Sequence, residues 1–199
     1  GTIARVFVVG IDPGVSRCGY SVLERVGSRT RPVAIGVLRT PPDYEAARQA
    51  FESVRQRASI YPQARYFLGA ILTAQRRYPE AIEAFRRVLQ LQPETPEHQQ
   101  VLDLSALAVG RLEIERQNYD AAIEAYQQVG RSSAFFDRAL FEQAWAFIKA
   151  GDSVRAERAL EILAISAPDS PLVPEGKILW GNLLLRTGRF DRAQQVIPG

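Results

Sequence analysis

The chain has 199 residues, 46% of them apolar, a net charge of +3, and a single cysteine (Cys18) and histidine (His98). That length and composition suit one elongated repeat domain with a small appendage, burying a substantial core. One Cys and one His far apart exclude an internal disulfide, a thiolate metal cage, a zinc site and a Cys–His catalytic pair.

No apolar run approaches the roughly 18 to 20 residues a bilayer span needs, and the start lacks the basic-then-apolar layout of a secretion signal. The expectation is a cytoplasmic protein with no membrane contact, although a chain without Met has lost its initiator and a targeting segment can be lost with it. Residues 1–43 hold six Arg against three acids, whereas the remainder balances at 19 basic and 19 acidic residues. So small a surplus reads as a solvated edge rather than a nucleic-acid face, and DNA is not an expected partner.

The chain opens with Arg5-Val6-Phe7-Val8-Val9-Gly10-Ile11, a short continuous apolar run that reads as a covered strand and ends at the Pro13-Gly14 turn. Gly19 to Glu24 reads as a second strand and Val33 to Leu38 as a third. Short connections fit antiparallel neighbours, so the front predicts a three-stranded meander. Cys18 reads as a small buried apolar residue within it.

The segments Val9-Gly10-Ile11-Asp12-Pro13-Gly14, Arg17-Cys18-Gly19-Tyr20 and Gly36-Val37-Leu38-Arg39-Thr40-Pro41 resemble the start of a RuvC-type Holliday-junction resolvase, a member of the RNase H-like nuclease superfamily. The resemblance implies that Asp12 is one of four carboxylates binding two magnesium ions for phosphodiester hydrolysis. Asp12 is therefore the one catalytic and metal-binding candidate. Two-metal chemistry needs several carboxylates converging on ions roughly 3.5–4 Å apart. The resemblance stops near Pro41-Pro42, before the segments that supply the other three acids. Asp12 reads instead as a turn residue ahead of Pro13-Gly14. Magnesium is expected only under a nuclease reading, and otherwise no cofactor.

Beyond this seam one pattern recurs: Tyr44-x-x-Ala47-x-x-x-Phe51, Tyr78-x-x-Ala81-x-x-x-Phe85, Tyr119-x-x-Ala122-x-x-x-Tyr126, Ser153-x-x-Ala156-x-x-x-Leu160 and Phe190-x-x-Ala193. The alanines lie 34, 41, 34 and 37 residues apart. The period and residues resemble the tetratricopeptide repeat, whose unit is a helical hairpin of 34 residues. Leu68-Gly69 and Trp180-Gly181 match its close helix crossing. Gly151 and Gly188 mark inter-helix turns, Arg76 and Gln117 stand where such a turn favours Gly, and Pro93 and Pro168 close second helices. His98 falls in a Pro-rich linker.

The expected fold class is mainly α: a tetratricopeptide-type α–α superhelix over residues 43–199, half-repeats at both ends, with a small N-terminal three-stranded antiparallel β meander over residues 1–42. The strands are expected to cover Ala47, Phe51 and Val54 of the first helix. Exposed repeat ends and unpaired strand edges are candidates for self-association.

The resemblance places ligands on the concave face built from first helices. Aligning Gly69, Gly110, Ala144 and Gly181 puts Tyr66, Ala70 and Thr73 there, then Leu107, Arg111 and Ile114, then Phe141, Trp145, Ile148 and Lys149, then Ile178, Asn182, Leu185 and Arg186. The candidate peptide-binding set is Tyr66, Thr73, Arg111, Phe141, Trp145, Lys149, Asn182 and Arg186. An aromatic centre flanked by cations suits an extended or helical peptide with apolar anchors and an acidic group. Phe141 and Trp145 fit core packing equally well, and each cation taken singly reads as a solvated position. The Lys and Asn pairing of a chaperone-tail clamp is missing, since Tyr66 and Ala70, or Ile178 and Asn182, occupy those places. The expectation is a non-enzymatic scaffold for a protein segment. A truncated nuclease fragment and an artificial fusion without evolved function are the alternatives.

Overall fold

The structure, a computed structural model, describes residues 5–13, 17–26, 29–39, 42–56 and 58–197, with the side chains of residue 45 and of those described from residue 47 onward. It divides into two compact units, one up to Leu91 and one from Gln92 onward.

In the first unit, extended backbone runs through β1 (Arg5–Pro13), β2 (Arg17–Val26) and β3 (Arg29–Arg39), paired antiparallel in the order β1-β2-β3. Asp12 stands opposite Gly19, and the β2–β3 register shifts between Val22 and Leu23. Three helices follow: α1 (Pro42–Glu52), α2 (Tyr61–Ala74) and α3 (Tyr78–Leu89). The strands' side chains, and with them their expected cover of α1, lie outside the described residues. Phe51 of α1 meets Phe67 of α2, ring centroids 5.6 Å apart.

The second unit holds α4 (Pro96–Glu115), α5 (Tyr119–Gln127), α6 (Phe136–Lys149), α7 (Ser153–Ser166), α8 (Val173–Arg186) and α9 (Phe190–Val196). His98, expected in a linker, lies in the first turn of α4 and is buried. The reason is local. Thr95 caps the helix by accepting from the His98 backbone N–H at 3.2 Å, and Pro96 supplies the fixed φ and missing donor that suit a first helical position.

Four hairpins, α2/α3, α4/α5, α6/α7 and α8/α9, turn by one device. The residue after each first helix's C-cap has positive φ: Arg76 (58°), Gln117 (60°), Gly151 (80°) and Gly188 (74°). Around it two backbone bonds close each turn, as in Arg77 N–H to Leu72 C=O and Arg76 N–H to Thr73 C=O, both 2.9 Å. Bonds of the same spacing recur at Asn118 and Gln117, Asp152 and Gly151, and Arg189 and Gly188. This is the Schellman arrangement, which satisfies carbonyls a helix end leaves open.

The marker alanines Ala47, Ala81, Ala122, Ala156 and Ala193 are all buried. Four residues after the alanines of the second and third copies, the second helix presents a ring to a glycine of the first. A Cβ on Gly69 would lie 2.6 Å from Phe85 Cε1, and one on Gly110 would lie 2.4 Å from Tyr126 Cε1. The glycines let a ring of the second helix sit directly on the first helix's backbone. In the third hairpin the equivalent pair is Ala144 and Leu160, both buried, so a larger notch residue accompanies a smaller partner.

Candidate binding groove

The first helices of the second unit, α4, α6 and α8, carry the predicted groove positions. Arg111 on α4 and Trp145 on α6 are brought together. With Ile114, Glu115, Tyr126 and Glu142 they line a cleft of about 210 Å³. Trp145 is 41% exposed at its lip, so this ring is not consumed by the core. Phe141, one turn earlier, is half-buried and packs against Leu140, Leu163 and Val173. Its equivalent on α4, Leu107, is only 1% exposed and lines no groove.

Arg111 is not a cation waiting for a ligand. Its Nε donates to Glu142 Oε2 at 2.8 Å and its Nη2 to Glu142 Oε1, a two-point ion pair that ties α4 to α6 across the cleft. Glu142 escaped the sequence reading, although its place one turn before Trp145 on the same helix offered a signal. Tyr126, also missed as a cleft residue, is buried beneath the pair. Burial pushes its phenol up from its ordinary value, the nearby Glu142 carboxylate pushes the same way, and the side chain stays a neutral hydroxyl. Glu115, at the carboxyl end of α4, is exposed in the same cleft.

On α8, Ile178 is 53% and Leu185 42% exposed, with Asn182 exposed between them. Lys149 and Arg186 are exposed at the ends of α6 and α8, one turn beyond Trp145 and Asn182. In the first unit, Tyr66 packs against Phe67 and Phe85, with centroids 5.6 and 5.5 Å away. The Thr73 hydroxyl donates to the Gly69 carbonyl at 2.8 Å, a bond within its own helix. Both side chains are half-buried and engaged in their own hairpin.

Asp12 lies in β1, and its side chain is outside the described residues, as is that of Cys18. Among the described residues no three His, Cys, Asp or Glu side chains group to hold a metal, and no helix is long and apolar enough to cross a membrane.

Hairpins of paired helices that share a left-handed turn, a buried alanine and a small-residue crossing define an α-helical repeat protein. The tetratricopeptide-repeat family model matches residues 43–96 and 107–171, and the chain belongs to that family. It is a protein-interaction scaffold of that class, with proteins as its kind of partner, and the repeat fold points away from an enzyme. Among solved structures it is similar to MamA from Desulfovibrio magneticus, with 16% identity over 78% of this chain and 82% of that one and a TM-score of 0.57. Another crystal structure of MamA gives 18% identity, 77% and 84% coverage and a TM-score of 0.59. These likenesses show the fold alone.

A segment also matches the crossover junction endodeoxyribonuclease RuvC. It is 58% identical over 41 residues to that of Corynebacterium glutamicum, covering 20% of this chain and 19% of the nuclease. The match to the Natranaerobius thermophilus protein is 39% over 54 residues, covering 27% and 33%. The chain thus spans a fifth to a third of these relatives, a partial likeness that shows no enzyme activity.

The comparisons correct the expected fold class. What is shared with known structures is an all-helical tetratricopeptide solenoid, and a β meander is no part of that class. The physical reason lies in the extent of the helices, which follow one another from Pro42 to Val196 and pack pairwise in hairpins. Helix packed on helix sets the class.

Proposed function

We propose that residues 92–199 bind an extended or helical segment of a partner protein along α4, α6 and α8. An apolar side chain of that segment seats against Trp145 and Ile114 in the cleft, and the chain continues over Ile178, Asn182 and Leu185. The observation that carries this reading is Trp145, a large aromatic left 41% exposed at the mouth of a cleft. Tryptophan in a pocket is the side chain most enriched among residues that dominate binding energy. Exposed Asn182 offers both a donor and an acceptor to a peptide backbone.

The test is selection from a randomised peptide display library, followed by calorimetry on the best synthetic binder. Trp145→Ala is expected to weaken binding by at least about thirtyfold, the effect of losing roughly 2 kcal/mol at a hot spot. Far-UV circular dichroism should stay unchanged, because the side chain is half outside the core. A library yielding no binder, or binders indifferent to Trp145→Ala, refutes the proposal. Incubation with a four-way DNA junction and magnesium belongs in the same study: the scaffold reading predicts no cleavage, and cleavage abolished by Asp12→Asn would establish the nuclease alternative.

A further inference from the structure

The charges of this groove are ordered, and the order follows from the repeat. Glu115 lines the cleft, which places the fifth residue after the helix-crossing position of α4 on the groove side. The equivalent residues are Lys149 on α6 and Arg186 on α8, five places after Ala144 and Gly181. All three are exposed, and among the described residues none is in an ion pair. Arg111, the one cation lining the cleft, is held by both oxygens of Glu142. The α4 end of the groove therefore carries an unneutralised carboxylate. It sits at the negative end of the α4 dipole and shares its cleft with the aromatic ring of Trp145, all three of which favour a cation. The α6 and α8 ends carry two unneutralised cations.

We infer that the groove reads the charge order of its peptide, accepting a basic side chain between Glu115 and Trp145 and a carboxylate beside Lys149 and Arg186. Such an arrangement fixes the direction in which the segment lies and rejects a segment of reversed charge order, since like charges are then brought together. Of the three cations expected to flank the aromatic centre, Arg111 is spent on Glu142, which leaves Lys149 and Arg186 for the ligand's acidic group. The inference rests on the groove reading above and adds the polarity of the ligand.

The probe is the best binder from the display selection and a twin in which its acidic and basic residues are exchanged. The wild-type protein is expected to bind the twin about tenfold more weakly, as three exposed charge pairs of up to roughly 1 kcal/mol each allow, and added salt should shrink the difference. A protein carrying Glu115→Lys, Lys149→Glu and Arg186→Glu changes exposed residues only and is expected to prefer the twin. Equal binding of both peptides, each still lost on Trp145→Ala, overturns the charge order and leaves the groove standing. A selection with no binder, or binding indifferent to Trp145→Ala, overturns both.

Discussion

Replacing Gly69 by alanine sets two opposing effects against each other at the crossing of α2 and α3. Alanine is the better helix former by about 1 kcal/mol, so in an open helix the change would stabilise. Here the new methyl lies 2.6, 2.7 and 2.8 Å from Cε1, Cζ and Cδ1 of Phe85. Carbon atoms in contact rest at about 3.5–4.0 Å, so the ring must withdraw by roughly 1 Å. It has nowhere to go, being 2% exposed with the Tyr66 ring centroid 5.5 Å away. Overpacking of this kind costs about 1–3 kcal/mol. The net expectation is a loss of about 1 kcal/mol, or about 2–4 °C in melting temperature for a chain of this size. The third hairpin, where Ala144 accompanies Leu160, names the compensating change. Phe85→Leu should destabilise alone by leaving a void, yet the double variant should be more stable than the two single losses sum to, by about 1 kcal/mol or more. Urea unfolding of the four proteins by circular dichroism measures this cycle. A higher midpoint for Gly69→Ala, or additivity within about 0.5 kcal/mol, would refute the close-crossing account.

Gln117 holds φ of 60° without being glycine, so Gln117→Gly is expected to raise stability by about 1 kcal/mol, whereas Gly151→Ala, at φ of 80°, should lower it by a similar amount; thermal melts of both proteins check the pair. Asp152 caps α7, accepting from the Arg155 backbone N–H at 2.9 Å, and Asp152→Ala should cost about 1 kcal/mol in urea while Asp152→Asn costs less. Hydrogen bonds from the Arg155 backbone and side chain hold the Asp152 carboxyl below its ordinary 3.8. Arg48 and Gln49 hold Glu45 at about 2, and Arg77 keeps Glu80 below 4.5. Since these groups bind protons more weakly when folded, the unfolded chain takes protons up first. Their contribution is complete above the ordinary values and lost as pH falls through the lower ones, so melting temperature should be flat above about pH 5 and decline toward pH 2. A melting temperature that rises between about pH 4.5 and 3 would contradict this.

Much of the helical architecture was legible because its causes are local and periodic. Alanines recurring 34 to 41 residues apart announce equivalent positions of successive second helices, and all five are buried. Gly151 and Gly188 announce left-handed turns, and the same spacing finds Arg76 and Gln117 doing so without glycine. His98 lies in a helix and not in a linker because a proline after a capping Thr95 opens a helix. The front strands carry a strong strand pattern, but the fold class follows from the helical hairpins shared with known structures.

The site divides along the same line. Sequence alone determined which residues recur at equivalent positions of successive first helices, and the resemblance to the repeat family is what makes those positions groove candidates. It could not decide how those residues share the space between helices. Phe141 turns to Leu163 and Val173 while Trp145 stays half in solvent, and Arg111 spends its charge on Glu142, 31 positions away. Those outcomes depend on which neighbour a packed hairpin brings within a few ångströms, and only the tertiary structure sets that distance.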